Sequence, residues 1–250
     1  MKNGEALANV PVNGDNKMAT HVVNTPQKLT AVDRTFCDLP PAVADALEQA
    51  ALTTTYPTGA VLFAEAQAPR GVFIVRRGRV KLSICGSDGR TLILRMVDSG
   101  CPLGVAAVVS GRPYEATAET QEPSEVSFLR NSDLLRLMRT HGEIALWVTQ
   151  HISEDYAGTC REIRDLILSD SASEKLARLL VGWLDQNTTA KNPSQVKLAL
   201  THEEIGQMIG SSRETVSRLF AGFKKQHLIT QSGSTLVIPN RVALESLITA

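Results

Sequence analysis

The chain has no net charge, its 26 Lys and Arg being matched by 26 Asp and Glu. Bulk composition therefore makes no electrostatic case for nucleic acid or an acidic surface, and any such case must come from local charge distribution. No apolar run approaches the ~20 residues of a membrane helix. The first residues lack the charged-then-apolar order of a signal peptide, so no export is expected. Four cysteines, Cys37, Cys85, Cys101 and Cys160, are scattered without a CxxC pair. That usage fits reduced thiols and a cytoplasmic location. No GxSxG, HExxH or P-loop pattern occurs, so no catalytic constellation presents itself and the chain reads as a non-enzyme.

What is present is material for ordinary globular folding: 250 residues, 43% hydrophobic and 21% charged, enough for one large domain or two of common size. Residues 1–30 are rich in Asn, Gly, Lys and Thr without periodicity and read as a flexible tail. A short helix is expected over residues 41–52, entered through Pro40-Pro41 with Val43, Leu47 and Leu52 on its apolar face. From 56 to 130 the chain turns to short β-rich runs: AVLFAE, GVFIVRRG, RVKLSIC, TLILRMV and EVSFLR, with a hairpin turn at Gly86-Ser87-Asp88-Gly89. Strands at this spacing predict a jelly-roll barrel. A metal-dependent barrel enzyme of the cupin kind would need histidines inside it. The five histidines are His21, His141, His151, His202 and His227, all outside residues 56–130.

Helical spacing resumes at 133–138, and a long helix is expected over about 141–168. There Val148, Ile152, Tyr156, Thr159, Ile163 and Leu166 recur at intervals of three and four, an apolar seam that must be buried on the barrel or on a second copy of itself. Residues 169–173 form a polar break. Ser173 is then the expected cap of a helix with Leu176, Leu179, Leu180 and Leu184 on one face. A loop over 187–194, a strand over 195–200 and a hairpin over 230–239 turning at Ser232-Gly233 complete the chain.

Residues 200–229 carry the clearest signal. Thr201 followed by Glu204 is a capping box, Ile205, Met208 and Ile209 form an apolar face, and Gly210 can supply the positive φ that stops the helix. Ser211 or Ser212 caps a second helix with Val216, Leu219, Phe220 and Phe223 facing inward. Its other face offers Arg213, Glu214, Ser217 and Arg218. Guanidinium groups suit guanine O6 and N7, and a carboxylate accepts from cytosine N4, so this set can read G·C pairs in the major groove. Taken alone, the spacing fits equally a surface helix with a Glu214–Arg218 ion pair. Over residues 201–241, Arg213, Arg218, Lys224, Lys225 and Arg241 stand against Glu203, Glu204 and Glu214, a balance of +2.

The segment SRETVSR resembles the recognition helix of the CRP/FNR family of bacterial transcription regulators, and residues 200–239 follow its winged-helix pattern. GVFIVRRGRVKL and the stretch from Leu103-Gly104 through GRPYEATAET resemble its cyclic-nucleotide-binding-type barrel. The resemblance implies an α+β chain: a flexible tail (1–30), an effector-sensing barrel (31–140), a dimerisation helix (141–169) and a winged helix-turn-helix (170–250). It implies a homodimer on double-stranded DNA, reading an inverted repeat with TGTGA-like half-sites, with RNA polymerase as a further partner and no membrane. Arg213 would contact the outer guanine, Glu214 the cytosine paired with the inner guanine, and Arg218 that guanine. Ser217 is similar to the serine of the FNR-type version, which keeps a TTGAT-like half-site open. Thr201, Ser212, Thr215 and Lys224 are expected phosphate contacts.

The input end is less explicit. In nucleotide-binding members of the resembled family a Gly-Glu pair holds the ribose and an Arg-Ser or Arg-Thr pair the cyclic phosphate. Here those pairs read Gly104-Val105 and Tyr114-Glu115. A carboxylate stands where a buried phosphate needs a cation, and Arg112 is the nearest substitute. This argues against cAMP. The iron–sulfur branch requires a cysteine cluster ahead of the barrel, where only Cys37 is present. The candidate effector pocket comprises Gly104, Val105, Arg112, Tyr114, Glu115 and Cys160. Haem or thiol-based redox sensing stays open through Cys101-Pro102 and the helix histidines, as does ligand-free action; the cofactor is therefore unassigned.

Overall fold

A computed structural model describes residues 40–169, 171–186, 194–197 and 200–248. The tail expected over residues 1–30, and Cys37, lie outside these. Within them the order is helix α1 (Pro41–Ala50), strands β1 (Leu52–Tyr56), β2 (Val61–Phe63), β3 (Gly71–Arg77), β4 (Val80–Cys85), β5 (Thr91–Val97) and β6 (Pro102–Leu103), helix α2 (Val105–Ser110), and strands β7 (Thr117–Thr120) and β8 (Ser124–Arg130). Two antiparallel four-stranded sheets, β1-β8-β3-β6 and β2-β7-β4-β5, face each other. This is the expected double-sheet barrel. The Gly86–Gly89 turn closes the β4–β5 hairpin, with Gly89 N donating to Gly86 O at 2.9 Å.

The central strand β3 is buried on both faces over Gly71–Val75, which is why its sequence runs apolar rather than alternating. Phe73 and Val75 point into the barrel with Leu103, Tyr114, Ala118 and Val126. Val72 and Ile74 point outward, beneath α1, helix α3 (Asn131–Thr140) and the start of helix α4 (Gly142–Leu168), where they meet Leu47, Leu134, Leu137, Ile144 and Val148. Three strands escaped the sequence reading. β1 is exposed along most of its length, β6 is two residues long, and β7 lies inside the stretch read as a ligand cassette.

The seam expected on α4 divides in two. Val148 is buried and Ile152 packs on the barrel cluster. Tyr156 and Ile163 lie instead on an exposed stripe with Leu146, Thr149, Ser153, Cys160 and Ile167, at alternating intervals of three and four. Arg95 on β5 ties α4 to the barrel through Asp155, Nη1 to Oδ1 at 2.8 Å. His151 Nε2 lies 3.1 Å from Pro102 O and 3.3 Å from Asp155 Oδ2. Burial alone would push the Asp155 carboxyl up, but the hydrogen bonds and charges of His151 and Arg95 outweigh it and hold it at about 2.

The C-terminal part comprises helix α5 (Ala172–Gln186), strand β9 (Gln195–Lys197), helix α6 (His202–Ile209), helix α7 (Arg213–Lys225), strands β10 (Thr230–Ser232) and β11 (Thr235–Val237), and helix α8 (Arg241–Glu245). The α5 helix starts earlier than expected: Ser171 Oγ, rather than Ser173, accepts from Glu174 N at 3.1 Å. Leu176, Leu180, Ile205, Val216, Phe220, Leu236 and Leu244 share one core. α6 packs on α5 and α7 and also against β5 of the barrel.

Two outcomes check this account. Replacing Asp155 by Asn removes a group whose folded pKa, about 2 against 3.8 in the free side chain, stabilises the fold above pH 3.8. That contribution is lost as pH falls toward 2. With the Asp155 side chain 37% exposed, solvent screening reduces it to about 1 kcal/mol. Urea unfolding should show that deficit at pH 7 and a shrinking one below pH 4. Gly206→Ala would place a methyl 2.6 Å from Ser211 O in the turn between α6 and α7. It should cost about 1–3 kcal/mol and abolish DNA binding by displacing α7, seen by thermal unfolding and a gel-shift titration.

Candidate nucleic-acid interface

The turn that sets α7 against α6 is built from three local devices. Thr201 Oγ1 accepts from Glu204 N at 3.2 Å, and Glu204 Oε2 accepts from Thr201 N at 2.8 Å, completing the capping box. Gly210 ends α6 in the left-handed conformation, φ 63. Ser212, not Ser211, caps α7, its Oγ accepting from Thr215 N at 3.2 Å. Gly206, buried in α6, lets the backbone of Ser211 and Ser212 cross directly over it.

On α7, Val216, Phe220 and Phe223 are buried, whereas Arg213, Glu214, Ser217 and Arg218 are all exposed. The four expected base-reading side chains therefore share one outward face. Glu214 and Arg218 form no ion pair among the described contacts; Arg218 Nη2 donates to Thr215 Oγ1 at 3.3 Å instead. The alternative of a merely salt-bridged surface helix thus lacks its pair. Glu214 is fully exposed, and its own backbone N–H, then the Ser212 hydroxyl and Arg213, hold its carboxyl below the ordinary value. It is an acceptor at neutral pH, as cytosine N4 requires.

The four expected phosphate contacts border that face. Thr201 and Ser212 are exposed at the starts of α6 and α7, and Thr215 is half-buried one turn in. Lys224 is exposed near the end of α7, its Nζ donating to Gln231 Oε1 at 2.8 Å, which joins the recognition helix to the β10–β11 wing. Arg241, counted among the basic residues, is instead engaged by Asp185 at 2.7 Å and Glu245 at 2.6 Å. It fastens α8 to α5 rather than adding free charge.

Sequence reasoning missed His202. It is the first residue of α6, where no periodicity marks it, and only packing brings it to α7. Its ring stacks on Phe220, centroids 4.7 Å apart, and Nδ1 lies 2.9 Å from Ser217 Oγ. Burial, then Lys224 and Arg213, push its pKa down. A neutral imidazole therefore fixes the Ser217 hydroxyl beside the two arginines.

The six residues proposed for the effector pocket do not share one environment. Val105 is buried, Arg112 and Glu115 are exposed, and Cys160 lies on the exposed stripe of α4. Tyr114 is 2% exposed. Its ring stacks on Phe63, centroids 4.0 Å apart, and lies against Gly104. The hydroxyl donates to Gly71 O at 2.6 Å and accepts from Arg70 N and Gly71 N at 3.2 and 3.3 Å.

Comparison with known proteins finds two matching families. A family model for the cyclic nucleotide-binding domain matches residues 53–141, and one for the Crp-like helix-turn-helix domain matches residues 174–247. The cAMP-activated global transcriptional regulator CRP of Haemophilus influenzae is 27% identical over 184 residues, 73% of this chain and 82% of that protein. The global nitrogen regulator of Synechocystis is 26% identical over 199 residues, 78% of this chain and 88% of that one. Among solved structures, FixK2 from Bradyrhizobium japonicum superposes with a TM-score of 0.70 at 22% identity, covering 80% of this chain and 98% of that one. The two family models together span well over half of the chain and join a sensing-type barrel to a DNA-binding head; the chain belongs to the CRP/FNR family of transcription regulators, which are not enzymes.

Proposed function

We propose that this chain is a homodimeric regulator that reads an inverted repeat in double-stranded DNA, with Arg213, Glu214, Ser217 and Arg218 as its base-reading set. The observation that carries this is their common exposure on α7, opposite a buried Val216–Phe220–Phe223 face. Two guanidinium groups and one ionised carboxylate within two turns of helix match the donor and acceptor pattern of TGTGA-like half-sites. The His202-held Ser217 keeps a TTGAT-like half-site as the second reading. Thr201, Ser212, Thr215 and Lys224 position the head on phosphates, and RNA polymerase is a further partner that the family resemblance implies.

The dimer follows from α4. Its exposed stripe contains Tyr156 and Ile167, each 72% exposed, along with Leu146 and Ile163. Their heptad-like intervals suit a parallel pairing with a second copy. Such a pair would present two α7 helices about one turn of DNA apart, ~34 Å.

The input is best read as something other than a cyclic nucleotide. Tyr114 stands at the position that carries the phosphate-binding arginine in nucleotide-binding members, and it is buried and hydrogen-bonded at all three of its contacts with Arg70 and Gly71. Its ring fills the space beside Gly104.

Two measurements test this reading. Glu214→Ala should weaken binding to a TGTGA palindrome by about 1–3 kcal/mol. It should also bind a palindrome changed at the contacted pair no worse than the parent site, measured by fluorescence anisotropy; unaltered selectivity would remove Glu214 from the reading set. Ile163→Glu should convert the protein to a monomer in sedimentation. Under mild copper–phenanthroline oxidation, the parent should give a disulfide-linked dimer that Cys160→Ser abolishes. A dimer that survives Ile163→Glu with no Cys160 cross-link places the interface elsewhere.

A further inference from the structure

One end of the barrel interior opens into a cavity of about 810 Å³. Tyr56 from β1, Phe73 from β3 and Phe128 from β8 line it. Arg70, Arg130 and Asn131 line it as well, and among the described residues no carboxylate does. Both arginines are exposed, and among the described residues neither guanidinium has an ion-pair partner.

The register between β3 and β8 places both arginines at the same end of the barrel. Gly71 on β3 pairs with Arg130 on β8, and Asn131 N donates to Arg70 O at 3.0 Å. Arg130 thus stands opposite Gly71, and Arg70 directly precedes β3. A second signal is independent of charge. Asn131 Oδ1 is buried and makes no hydrogen bond among the described residues, so it carries the desolvation cost of an acceptor with no donor.

We infer that this cavity binds a small aromatic anion, its ring among Tyr56, Phe73 and Phe128 and its carboxylate or phosphate between Arg70 and Arg130. A hydroxyl on the ligand would supply the donor that Asn131 Oδ1 lacks. The combination of a mostly apolar pocket with a few converging polar groups is that of a small-molecule site, and paired guanidiniums suit a planar carboxylate or a phosphate.

The position gives such a ligand a physical grip on the rest of the protein. The Tyr114 hydroxyl bonds to the Arg70–Gly71 backbone at the cavity edge. Asn131 is also the first residue of α3, whose Leu134 and Leu137 pack with Ile144 and Val148 of α4. The inference deepens the proposed regulator by giving its barrel a ligand class; it rests on that reading only for the effect on DNA, not for binding itself.

Isothermal titration of the full chain with 4-hydroxybenzoate and with phenyl phosphate tests it, with phenol as the uncharged control. The two anions separate a carboxylate source from a phosphate source. At least one should bind at one per chain and phenol at least about tenfold more weakly, since the charge-assisted bonds are the strong ones. Arg70→Gln and Arg130→Gln should each weaken the anion by about tenfold or more, with Arg130→Lys in between because it keeps the charge without the fork. The unliganded variants should keep the parent's melting temperature and operator affinity. Failure of both anions to bind, equal binding of phenol, or binding that survives both Gln substitutions would overturn the site. Failure of the DNA reading would appear separately, as a parent protein without operator selectivity whatever the titrations show.

Discussion

The two-sided burial of β3 is the constraint from which the larger organisation follows. A strand with apolar residues on both faces needs a cover on the outside of the barrel as well as a filling within. Here the outer cover is α1, α3 and the first turns of α4. Beyond Ile144 and Val148, α4 stays against the barrel through Ile152 and Asp155. Its remaining apolar residues, Tyr156, Ile163 and Ile167, then have no partner within the described chain. In the proposed dimer, barrel packing would therefore set where the second subunit attaches, and that subunit how far apart two α7 helices lie.

Much of this was readable from residue patterns. The capping box, the αL glycine and the buried face of α7 are local devices, each specified within a few residues, and all three are found where the pattern predicts them. The α4 seam was only partly legible. A 3.6-residue period marks apolar positions but cannot say which of two stripes meets the barrel and which stays exposed, so residues of both were merged into one. β1 and β7 were missed for a different reason. Their polar Thr-rich sequences, LTTTY and TAET, carry little apolar alternation, and pairing with β8 and β4 makes them strands.

The site shows the same split between local and tertiary information. Arg213, Glu214, Ser217 and Arg218 share an exposed face because they lie three and four residues apart on one helix. His202 reaches Ser217 across the α6–α7 turn, from fifteen residues away, and no sequence period connects them. Tyr114 is the sharper case. Sequence identifies it only as a residue standing where an arginine was expected. The structure gives it a buried ring on Phe63 and three hydrogen bonds to the Arg70–Gly71 segment. An apparent gap in a ligand cassette is in fact part of the core.

Strand β5 touches both halves of the molecule. Arg95, in its middle, holds Asp155 on α4, and the same strand packs against α6, the scaffold on which α7 is set. The DNA-binding head is consequently attached by two routes, one through the continuous chain from α4 to α5 and one through the side of a β-hairpin. A body held at a single joint can swivel freely, whereas one held at two can only rock about the line between them. Strand β5 therefore lies between the long helix and the scaffold of the recognition helix, touching both.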